Sequence, residues 1–127
     1  MRIAAIYALP LFLLGAQPPA PPAMVEVQLA NYKFTPEAIV LARGQSYVLR
    51  LRNVAGGGHD FTAPAFFAAS TVDPADRLWI TEGQVEVPSG LVRDIRLRAP
   101  DAAGRFTVKC THAFHAMFGM SGTIVVQ

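Results

Sequence analysis

From residue 24 onward the chain alternates apolar and polar positions in short runs broken by turn residues. In Ser46–Asn53, Tyr47, Leu49 and Leu51 fall on one face, and Arg50 and Arg52 on the other. Residues 24–29 repeat the pattern with Val25, Val27 and Leu29. A period of two is the mark of a half-buried strand, since successive side chains leave opposite faces. Further strands are expected over 39–42, closed by Arg43-Gly44, and over 85–87, 91–98, 105–110 and 123–126. Residues 55–58 form a glycine-rich loop that runs into His59-Asp60-Phe61. The least strand-like stretch is 65–78, where Asp73-Pro74 can open one short helix with Pro74 at its first position. About seven short strands with almost no helix predict an all-β, one-domain antiparallel β-sandwich.

The first residues break this pattern. Arg2 is followed by an apolar stretch over 3–14, and then by the small residues Gly15 and Ala16. A positive start, a short apolar core and small residues are the parts of a secretory signal peptide, expected here over 1–16. Cleavage after Ala20 or Ala23 is an alternative, because Leu14 is bulky for its place. The apolar stretch falls short of the about 20 residues that a membrane-spanning helix needs. Pro18, Pro19, Pro21 and Pro22 make 17–23 an extended spacer, which leaves 24–127 as the folded domain of a periplasmic or secreted protein.

Charge adds little. Eleven basic residues face nine acidic ones, with no basic run or aromatic-interleaved Arg/Lys stripe, so no nucleic-acid partner is expected. Cysteine usage matters more. A single cysteine excludes an internal disulfide, and a free thiol in an oxidising compartment is a liability that a bound metal removes.

That cysteine sits in KCTHAFHAMFGMSGTIVV. Cys110 ends a strand, His115 lies five residues on, and Met120 five further. His59 follows the distant glycine loop. Two imidazoles, a thiolate and a thioether form the donor set of a trigonal copper site with a weak axial Met. The mixture suits redox chemistry, since the sulfur donors favour Cu(I) while imidazole serves either oxidation state. His112 and Met117 crowd the same loop and open other sets, such as His112 in place of His115. His112 is less favoured because a Cys-x-His pair shares a face only if the backbone stays extended.

With these residues the chain resembles the cupredoxins, the small blue-copper electron carriers. The resemblance spans residues 25–127 and includes Asn31-Tyr32-Lys33-Phe34-Thr35-Pro36 and Gly58-His59-Asp60-Phe61. The four-residue gaps on either side of His115 fall within the range of rusticyanin-like and azurin-like members. The resemblance implies a Greek-key β-sandwich holding one copper ion near one end. His59, Cys110 and His115 would be the strong ligands and Met120 the axial one. It also implies that Asp60 and Thr111 hydrogen-bond across the two ligand segments. A departure is Phe106, where many members carry Tyr.

The function expected is one-electron transfer between redox partners. They would dock near His115 on Phe114, Met117 and Phe118. No enzymatic site is legible, since paired carboxylates, a nucleophile with its base and a phosphate loop are all lacking. The rival reading is a periplasmic copper chaperone, buffer or resistance protein, for which His112 and Met117 would help pass Cu(I) on. Trp79, Phe66 and Phe67 read as core.

Overall fold

In the computed structural model, which describes residues 10–15, 18 and 20–127, the chain forms ten strands and one α-helix. These are β1 (Ala23–Ala30), β2 (Lys33–Thr35), β3 (Ala38–Leu41), β4 (Ser46–Asn53), β5 (His59–Thr62), α1 (Pro64–Ala69), β6 (Thr71–Val72), β7 (Gln84–Val87), β8 (Val92–Arg98), β9 (Gly104–Lys109) and β10 (Ser121–Val126). They pair into two five-stranded sheets, ordered β2-β1-β4-β8-β6 and β3-β10-β9-β5-β7. The sandwich read from the alternation is the one formed. Most pairs are antiparallel, but β1 with β4 and β3 with β10 run parallel, so both sheets are mixed. Periodicity reports which face a residue occupies and carries no information on the direction of the neighbouring strand.

The inner faces supply the core. β4 alternates without a fault, burying Tyr47, Leu49, Leu51 and Asn53. Phe34, Phe61, Phe66, Leu29, Ile95 and Ile124 are fully buried beside them. Each such side chain contributes about 1.5–3 kcal/mol relative to exposure. On the outer face, Arg50 sits opposite Asp94 in the β4–β8 register and holds both carboxylate oxygens at 2.8 Å. β10 passes so close to the chain before β3 that a Cβ on Gly122 would collide with the carbonyl oxygen of Glu37, so only glycine fits.

The helix expected at Asp73 is a 3-10 helix, Pro74–Trp79. Its cap is Asp73, whose Oδ1 accepts from the Ala75 amide at 2.9 Å. Phe66 and Phe67 are core, but Trp79 is not. It is 41% exposed, with the Arg93 guanidinium 4.3 Å above its ring. An aromatic ring covered by a cation is stable at the surface. Of the expected leader, only 10–15 lies within the described residues, and that piece has no regular structure. Ala23, expected to close the spacer, already pairs with Tyr47 in β1. No helix among the described residues is long and apolar enough to cross a membrane.

Two connections position the site. β5 and β9 are neighbours, joined at Thr62 and Lys109, which sets His59 and Cys110 at the same end of one sheet. The β9–β10 hairpin then encloses residues 110–120, closed by Cys110 N–H donating to the Met120 carbonyl at 3.1 Å.

Candidate metal centre

His59 is held before any metal is considered. The loop leading to it is shaped by buried Asn53, whose Nδ2 donates to the Gly57 and Val87 carbonyls at 2.8 Å. The ring is 1% exposed, and its Nε2–H donates to Asn31 Oδ1 at 3.1 Å. In the neutral ring this leaves Nδ1 as a bare lone pair. It faces His115 Nδ1 at 3.1 Å and Cys110 Sγ at 3.8 Å, while His115 Nδ1 lies 3.4 Å from the same sulfur. A point equidistant from all three donors lies about 2.0 Å from each, close to the bond lengths that nitrogen and thiolate make to a divalent metal. Met120 is fully buried and adjoins both neighbours in the loop, since its carbonyl accepts from Cys110 N–H and its own N–H donates to the His115 carbonyl at 3.1 Å.

This donor set fits one copper ion: two imidazole nitrogens, a cysteine sulfur and an adjacent methionine. Hard carboxylate sets suit calcium or magnesium, which this mixture does not, while thioether and thiolate beside imidazole favour copper.

Electrostatics agree with the geometry. Burial pushes the Cys110 thiol up, although N–H groups of Asp60 and His112 pull it down. Burial, and then His115 and His112, push His59 down. The metal-free site therefore holds a neutral His59 and a protonated thiol at neutral pH, and metal binding must release the thiol proton.

Beneath the donors lies Asp60, which is fully buried. Its Oδ1 accepts from Thr62 Oγ1 at 2.8 Å and Thr111 N–H at 2.9 Å. Its Oδ2 accepts from Thr111 Oγ1 at 2.6 Å and Gln84 Nε2 at 2.9 Å. The Asp60 amide donates to Cys110 Sγ at 3.4 Å. One carboxylate thus ties the His59 segment to the Cys110 segment, the cross-link that the resemblance implies for Asp60 and Thr111.

His59, Cys110 and His115 converge, and buried Met120 is tied to Cys110 and His115 through its backbone. His112 does not join them, because its Nε2–H donates to Glu86 at 2.9 and 3.0 Å. Met117 is 81% exposed. Phe106 packs edge-on to Phe66 at 5.7 Å. Asn31, Gln84 and Glu86 also act in the site without a sequence signal for those roles. Asn31 stands 28 positions from His59, and only the fold reveals their contact.

No protein-family model matches the chain, and no curated protein matches it in sequence. Solved structures do. Auracyanin B shares 23% identity over 88% of this chain and 92% of its own, with a TM-score of 0.62. Auracyanin A, described as a "blue" copper protein of Chloroflexus aurantiacus, shares 17% over 84% of this chain and 100% of its own, with a TM-score of 0.61. The dithionite-reduced auracyanin of Roseiflexus castenholzii gives 19%, 83%, 97% and 0.61 for the same measures. A multicopper oxidase aligns with a TM-score of 0.60 and 11% identity over 86% of this chain, which spans 46% of that one. The sandwich thus recurs across these structures, and the fold of this chain is cupredoxin-like.

Proposed function

We propose that the protein is an exported mononuclear copper protein that carries one electron at a time between redox partners, with His59, Cys110, His115 and Met120 as ligands. The observation that carries this reading is the convergence of the three donor atoms at 3.1, 3.4 and 3.8 Å beside a buried methionine. Copper at such a site supplies the Cu(II)/Cu(I) couple. The chain's own residues supply the rest. Asn31 orients His59, Asp60 locks the two ligand segments together, and burial of His59, Cys110 and Met120 excludes water. A donor frame held this firmly changes little when the charge on its contents changes, which keeps transfer fast.

His115 alone among the four is partly exposed, and Phe114, Met117 and Phe118, 67%, 81% and 64% exposed, surround it. This apolar collar gives a redox partner a small, desolvating contact next to a ligand. The reading is supported by the blue-copper description of a structural neighbour. The leader expected over 1–16 would place the protein outside the cytoplasm.

The second reading, copper handling, draws on Met117, an exposed thioether on the ligand loop where a soft Cu(I) donor could pass metal onward. Adding Cu(II) to the metal-free protein separates the two. Electron carriage predicts an intense thiolate-to-copper band that Cys110→Ser abolishes. A colourless protein that binds Cu(I) alone would replace it with the handling reading.

A further inference from the structure

The two histidines of the cluster are held by different means. His59 Nε2 has Asn31, whereas His115 Nε2 makes no hydrogen bond among the described residues. The His115 ring is held by its flanks. The Tyr32 ring meets it in a T-shaped contact at 5.1 Å and 75°. The His112 ring lies nearly parallel to it, stacked at 18° with centroids 5.3 Å apart. The His112 ring is fixed in turn. Its Nε2–H is shared by both oxygens of Glu86, and Asp60 Oδ2 lies behind at 3.8 Å. Glu86 faces Asp60 across the β5–β7 register, so it stands on the rigid sheet and not on the ligand loop. Gly58 leaves the pair its space, since a Cβ there would come within 3.1 Å of Glu86 Oε1 and 3.3 Å of His112 Cε1.

We propose that Glu86 and His112 form a latch that fixes the His115 imidazole in its donor orientation. His112 is thus a positioning residue. It touches His115 by stacking and transmits the rigidity of β7 to an otherwise exposed loop. The carboxylate sets the plane of the His112 ring, and that plane limits rotation of His115 toward solvent. The inference rests on the reading of His115 as a ligand, but its test does not require copper.

The test follows the imidazole NMR signals of His115 in the full metal-free chain, in wild type and in His112→Ala, Glu86→Ala and Glu86→Gln variants. The latch predicts sharp His115 ring signals in wild type, broadened or solvent-averaged signals in both alanine variants, and near wild-type signals in Glu86→Gln, whose amide oxygen still accepts from His112. In copper-loaded samples it predicts about tenfold faster loss of copper to a chelator in the alanine variants, the scale of losing a group that orients a ligand. His115 signals unchanged in both alanine variants would overturn the latch, even where copper binds as proposed. A wild type that takes up no copper would remove the copper reading, while the ring signals would still decide the latch.

Discussion

The two arms of the metal centre are built differently. The His59 arm belongs to β5, where His59, Asp60, Phe61 and Thr62 are all buried and each polar side chain has a partner. The His115 arm is a loop in which Ala113, Phe114, Ala116, Met117, Phe118 and Gly119 are exposed and only a short 3-10 helix, Ala116–Phe118, gives order. One arm is fixed by the core and the other by its own loop closure and neighbours. The division matches two demands. A redox site must hold its ligands through a change of charge, and it must also present one ligand to a partner. A rigid buried arm meets the first demand and a covered but reachable arm the second.

Removing the carboxylate that joins the arms should have the largest effect. Asp60→Ala leaves Thr62 Oγ1, Thr111 N–H and Thr111 Oγ1 without their acceptor, and leaves Gln84 Nε2 only Thr111 Oγ1 at 3.3 Å. Loss of a buried network of this kind costs about 4 kcal/mol, to be read in urea denaturation of the metal-free protein. A loss below 1 kcal/mol would show that the cross-link does not support the fold.

The rigid arm can next be loosened without harming the core. Asn31 is exposed at the β1–β2 turn, yet it accepts from His59 Nε2–H. Asn31→Ala should weaken copper binding about tenfold to a hundredfold, as measured by chelator competition, with a small change in folding stability. Equal losses in both quantities would mean that Asn31 supports the turn and not the imidazole.

The exposed arm should respond least in stability. Phe114→Ser with Phe118→Ser should shift stability by no more than about 0.5 kcal/mol per site. The optical band should stay in place while electron transfer to a physiological partner slows. A shifted band would place these rings inside the ligand frame.

The contrast between the arms also explains what could be read from the sequence. The loop arm was legible because its donors stand close together: Cys110, His115 and Met120 share one segment with regular gaps. β4 and β8 were legible because alternation survives wherever one face meets solvent. The bounds of β5 were not, since a strand buried on both faces shows no period. α1 is a six-residue apolar helix, PAFFAA, without a polar face to reveal it. The contacts that orient the imidazoles, Asn31 with His59 and Glu86 with His112, join residues 28 and 26 positions apart, which no local pattern records. Trp79 misled because size suggests burial, while its actual partner is Arg93 across the surface.

The most direct test of the account is X-ray absorption at the copper edge of the loaded, full-length protein in both oxidation states. The account predicts one sulfur at about 2.3 Å and two nitrogens at about 2.0 Å, nearly unchanged between Cu(II) and Cu(I). A nitrogen- and oxygen-only shell, or a shell that gains a second short sulfur and loses an imidazole on reduction, would contradict a preformed site shared by the two arms.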